Sequence, residues 1–156
     1  MRLDHINPIV DSAITVLAEF TGSPVNRGDM KLRRRPSTSR DVATIIRLKG
    51  NVDGRIIIEM DGSTALAMAG LMNNDLFREL DRLALDTLME LANIIVARAV
   101  SSLNELEFAL RLAPPLIFTG TNVSCFSSLD TETLVVPLHT NVGDMNLSLA
   151  LRMKTL

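Results

Sequence analysis

The chain has 156 residues, 47% of them apolar and 22% charged, with a formal net charge of -2. That length suits one domain with a true core, and the balance is that of an ordinary soluble globular protein. Aromatic residues are only 3%, with no Trp or Tyr, so the usual platforms for stacking on bases are missing, and the near-neutral charge gives no argument for nucleic acid or an anionic membrane; neither is expected as a partner.

The same reading sets the expected compartment. Cys125 is the only cysteine, which excludes an internal disulfide and fits reducing surroundings. The opening Met1-Arg2-Leu3-Asp4-His5 lacks a basic stretch followed by an apolar core, so no signal peptide is expected. Nor does any run reach the roughly 18 apolar residues that a membrane span needs. The expected location is the cytoplasm.

In chain order, Ile6, Ile9, Val10, Ala13, Ile14, Leu17 and Phe20 recur at helical spacing until Gly22 and Pro24 end the pattern. Residues 23–40 are polar, with Lys31, Arg33, Arg34 and Arg35 clustered, and read as a solvated basic loop. Two β-rich runs, 42–49 and 55–60, joined by a Gly- and Asn-containing stretch, predict a hairpin. Asp61 or Ser63 is placed to cap a short helix through Met72. A long helical pattern then runs to about Glu105, with a break near Arg82. Pro114 and Pro115 follow, and short strands are predicted at 116–119, 124–127, 134–139 and 145–153. The Met residues are spread among core positions, and Cys125 reads as a small buried apolar group.

The second half echoes the first. Residues 44–52 lie over 134–142, with Asn51 and Asn141 being 90 positions apart. Residues 4–7 lie over 90–93, with Asn7 and Asn93 being 86 apart. The two near-equal offsets carry the same helix-then-hairpin order. They predict a single domain, 1–156, made of half-repeats at about 1–72 and 79–156 with pseudo-two-fold symmetry. The fold class is therefore α+β, with helices packed on antiparallel sheet in two layers.

The segment after residue 82 carries the most information. At roughly 100° per residue, Asp86, Glu90, Asn93, Ala97 and Asn104 share one stripe. Leu88, Leu91, Ala92, Ile95, Ala99 and Leu103 fall opposite and must be buried. Glu90 and Asn93, three apart, stand side by side, and both are expected to be exposed. Ala97, one turn on, keeps the helix surface low where a bulky residue would hold off a partner. On spacing alone, a solvated polar face is the better explanation of this stripe.

The spacing of Asp86, Glu90 and Asn93 resembles the phosphatase signature of the CheC/CheX/FliY family: an acidic or serine residue, then Glu, then Asn. The resemblance looks closest to CheX-type members. It extends to the first helix with Ile6-Asn7, to the strand followed by Ser63-Thr64-Ala65-Leu66, and to Pro114-Pro115 leading into Thr119-Gly120. Residues 23–40 match least.

The resemblance implies a substrate that is itself a protein: a CheY-type response regulator with a phosphorylated aspartate and bound Mg²⁺. It implies that Asn93 orients the attacking water, that Glu90 pairs with the regulator's active-site lysine, and that Asp86 adds a contact at the edge of the docking surface. A neutral amide suits the first task, since it accepts from water and donates toward phosphoryl oxygens. No cofactor of its own is expected, and the only metal arrives with the partner. In agreement, neither His5 nor His139 sits in the stripe, and no metal-ligand cluster, phosphate loop or serine nucleophile motif is present. Asp4 and Asn7 occupy the matching positions of the first half and are candidates for a vestigial second site. By family analogy a homodimer with sheets joined edge to edge is expected.

Two alternatives come from other classes. One is a module that binds a response regulator without hydrolysis, which the intact Glu90 and Asn93 disfavour. The other is a structural part of the flagellar switch, disfavoured by a chain that ends at Leu156.

Overall fold

Ile6, Ile9, Val10, Ala13, Val16 and Leu17 are all buried, so the first segment is an amphipathic helix, α1 (Leu3–Thr21). It stops at Gly22, whose φ of 68° is open to glycine and whose N–H donates to the Ala18 carbonyl at 2.9 Å. The computed structural model describes residues 3–34, 41–106, 108–120 and 132–153.

The segment read as a basic loop departs from expectation. It carries two short strands, β1 (Asn26–Arg27) and β2 (Lys31–Arg33), exposed throughout. Strands this short at a sheet margin are held by backbone pairing, which needs no apolar alternation, so the sequence pattern does not announce them. Arg35 lies outside the described residues.

The predicted hairpin is β3 (Val42–Gly50) and β4 (Val52–Met60), paired from Val42↔Met60 to Leu48↔Gly54. Next comes α2 (Gly62–Asn73). Asp61 is its N-cap as expected, but its side chain makes no capping bond. Asp41 supplies the acceptor instead, taking the Gly62 N–H at 2.8 Å. The long helix, α3 (Arg82–Glu105), starts where the break was predicted; Asp81 caps it, accepting from the Ala84 N–H at 2.8 Å.

Among the described residues four further strands follow: β5 (Leu110–Leu112), which the sequence did not announce, β6 (Leu116–Thr119), β7 (Thr133–Thr140) and β8 (Gly143–Met153). The strand expected at 124–127, and Cys125 with it, lies outside the described residues.

All described strands join one antiparallel sheet in the order β1-β7-β8-β4-β3-β5, with β2 also on β7 and β6 also on β3. At its centre the second strands of the two hairpins run together from Val52↔Met153 to Met60↔Met145. One sheet face, with Ile46, Ile56, Ile58, Val136, Leu138, Leu147 and Leu149, shares a single core with α1 and α3. A small cluster of Ala43, Ile45 and Ile57 is buried on the opposite face. The architecture is α+β, helices on an antiparallel sheet. Among the described residues no helix is long and apolar enough to cross a membrane.

Candidate functional site

The site is built on α3. Its inner side, Leu88, Leu91, Ala92, Ile95, Ala99 and Leu103, is buried as the periodicity requires. Two polar contacts fix how the helix sits. The Ser12 hydroxyl of α1 donates to the Ile95 carbonyl at 2.7 Å in the buried seam between the helices. The Asn73 amide at the end of α2 donates to the Thr87 hydroxyl at 2.8 Å, and that hydroxyl donates to the Leu83 carbonyl at 2.7 Å. A buried hydroxyl without such a partner would cost about 1–3 kcal/mol, so these bonds select one seating of α3. Ser12 and Asn73 are positioning residues that periodicity missed, because their partners are distant in sequence.

Outward, Asp86, Glu90, Ala97 and Asn104 are exposed. Asn93 is half-buried rather than fully exposed. The reason is geometric: three residues turn the helix about 300°, which leaves Asn93 some 60° round from Glu90, toward the packed side. The side chains of Glu90 and Asn93 engage no other described residue by hydrogen bond or ion pair. Asp86 is paired with Arg82 at 3.3 Å, one turn earlier. Arg98, next to Ala97, is held by both oxygens of Glu19 on α1, at 3.0 and 3.1 Å. The hydrogen bond and charge of Glu19 raise the Arg98 pKa further above the ordinary arginine value. The face thus offers one carboxylate and one amide side by side, on a rigid backing, with a low surface one turn beyond.

Asp4 and Asn7 are both exposed at the start of α1, with Pro8 inside the helix. They line an open groove of about 550 Å³ together with His5, Asp11, Leu106 and Phe108. Because Leu106 follows the end of α3, this pair sits toward the C-terminal end of that helix, away from Glu90. The structure does not bring the two pairs together. His5 is buried against Phe108, ring centroids 4.7 Å apart and edge-on, and His139 pairs with Asp144 at 2.9 Å. Among the described residues no group of three or more His, Cys, Asp or Glu could hold a metal ion.

Paired helices on a sheet of two joined hairpins are the architecture of a CheC-like protein. A CheC-like superfamily protein from Shewanella sp. PV-4 superposes with a TM-score of 0.88 at 22% identity, over 97% of this chain and 99% of its own. More specifically, the chain belongs to the chemotaxis phosphatase CheX family, whose model matches residues 42–139. It is therefore a phosphatase. The matched span contains all of α3 and none of α1. The CheY-P phosphatase CheX of Thermotoga maritima is 22% identical over 116 residues, 74% of this chain and 75% of that protein. A structure of the CheX-CheY-BeF3-Mg complex from Borrelia burgdorferi includes a chain that matches with a TM-score of 0.83 at 29% identity, over 97% of this chain and 99% of the other.

Proposed function

We propose that this protein hydrolyses the aspartyl phosphate of a CheY-type response regulator in chemotaxis signalling. The observation that carries the reading is the seating of Glu90 and Asn93. They stand adjacent in the middle of a capped helix, on its outer side, with no described residue competing for either. The Borrelia complex supports it, since there a related fold occurs with CheY, BeF3 and Mg²⁺.

Asn93 enters the regulator's active site. Its amide oxygen accepts from a water and its amide N–H donates toward a phosphoryl oxygen, so the water stands in line with the phosphorus. The water oxygen bonds to phosphorus, the bond from phosphorus to the regulator's aspartate breaks, and a free carboxylate and inorganic phosphate result. A carboxylate in place of Asn93 would be repelled by the phosphoryl group. Glu90 pairs with the regulator's lysine in a charge-assisted bond that fixes register. Asp86 contacts the rim, and the low surface at Ala97 lets the partner approach. Mg²⁺ belongs to the partner, and this chain needs no cofactor of its own.

The same reading takes 1–156 as one domain with half-repeats at about 1–72 and 79–156, working in the cytoplasm as a homodimer joined through sheet edges. Asp4 and Asn7 are the vestigial counterpart of the site, and neither nucleic acid nor membrane is a partner. The test is phosphate release from a phosphorylated CheY-type regulator with and without the protein. Acceleration that disappears in Asn93→Ala supports the reading. Binding to the phosphorylated regulator without any acceleration leaves a binding-only module as the better account.

A further inference from the structure

We infer that Leu83 and Leu76, at the N-terminal end of the site helix, form the apolar half of the surface that docks the response regulator, an inference that rests on the function proposed above. Seven residues are close to two helical turns, so Leu83, Glu90 and Ala97 lie nearly in line along one face of α3. The ten residues that α3 buries lie off that line, with Thr87 and Val100 flanking it, whereas Leu83 is 53% exposed and Leu76, just before the helix, is 77% exposed. Leu71, in the last turn of α2, is a third exposed leucine at this end.

The leucines sit on a rigid base. Asp81 caps the first turn of α3, Asn73 fastens the end of α2 to Thr87, and Thr87 in turn donates to the Leu83 carbonyl. The Asp75 N–H donates to the Gly70 carbonyl at 3.1 Å, which folds the chain back just before Leu76. Large apolar side chains on a fixed backbone lose less freedom on binding than those on a mobile one, which suits an interface anchor. Continuity with Glu90 and Asn93 identifies the occupant. The matching partner is a regulator that presents an exposed apolar side chain about 10 Å from its active-site lysine, the length of two helical turns. Glu90 then sets register and the leucines supply burial, so regulators lacking that apolar contact dock weakly.

The experiment uses the full chain with Leu83→Ser, Leu76→Ser and both together. It follows steady-state phosphate release from a phosphorylated CheY-type regulator and binding to the beryllofluoride-activated form. The double variant is expected to raise KM by about tenfold, weaken binding by the same factor, and leave kcat within about twofold. Leu3→Ser, at a leucine 61% exposed on α1 and off this face, serves as control and should change neither. Unchanged KM and binding in the double variant, beside rapid turnover by the wild type, overturn the inference and leave the function standing. A shift from dimer to monomer in sedimentation with KM unchanged overturns it too, because the leucines then join copies of this chain. If the wild type never accelerates phosphate release, the function fails. The binding arm alone then decides the leucines, and equal affinity in wild type and double variant overturns their role.

Discussion

Helices α1 and α3 are alike on their inner sides and unlike on their outer sides. A shift of 86 positions lays Ile6, Ile9, Val10, Ala13 and Leu17 over Ala92, Ile95, Val96, Ala99 and Leu103, and every one of these is buried. The outer residues diverge. Glu90 and Asn93 stand well inside a helix of 24 residues whose first turn is capped by Asp81. Asp4 lies in the first turn of α1, and Pro8 has no N–H to donate to the Asp4 carbonyl, so the backbone bond that would secure that turn cannot form. The core demands the same apolar shape from both helices. A docking site demands a rigid platform as well, and α3 has the cap and length to provide one. The shorter Asp4 carboxylate also reaches less far than Glu90.

The sharpest way to break this comparison is Asn93→Ala. It should lower phosphate release from a phosphorylated regulator by about a hundredfold or more, because on the mechanism proposed it removes a contact made chiefly in the transition state. Affinity for the beryllofluoride-activated regulator should stay within about twofold. Full activity in this variant would remove Asn93 from the mechanism.

Glu90→Ala comes next, and its signature differs. If Glu90 pairs with the regulator's lysine as proposed, deleting it strands that lysine, so binding should weaken by about thirtyfold and turnover should fall with it. Isothermal titration alongside the phosphate assay separates the two effects. Loss of turnover with unaltered binding would place Glu90 in the chemistry rather than in docking.

Ala97→Leu should raise KM roughly fivefold by obstructing approach, with kcat and thermal stability near wild type. A KM unchanged by the larger side chain means that the partner does not pass over this turn. Asp81→Ala addresses the platform itself: loss of the cap bond should cost about 1 kcal/mol and lower Tm by about 3 °C. Calorimetry reads this directly, and an unaltered Tm would show that the cap is not what steadies the first turn. The smallest effect is expected on the other helix. Asn7→Ala should leave phosphate release within about twofold, and a loss comparable to that of Asn93→Ala would make the two helices equal partners in function.

Much of this protein could be read from side-chain periodicity. The three-to-four spacing in α1 and α3, the β-rich runs of the first hairpin, and the Glu90–Asn93 pair opposite a buried stripe are local patterns, and each reports which face meets the core. What depends on distant partners could not be read that way. β1, β2 and β5 are held by backbone pairing with β7 and β3, which residues of almost every type can make, so their sequences carry no mark of it. The bond expected from Asp61 comes from Asp41, 21 positions before Gly62 in the chain, because the close of the first hairpin brings a better-placed carboxylate to the start of α2. The bonds from Ser12 and Asn73 to α3 likewise appear only when three helices pack together. Sequence alone determined which residues face inward, since that follows from period. Tertiary structure decided how α3 is seated and which of its outer residues remain open to a partner, since that is set by neighbours far away in the chain.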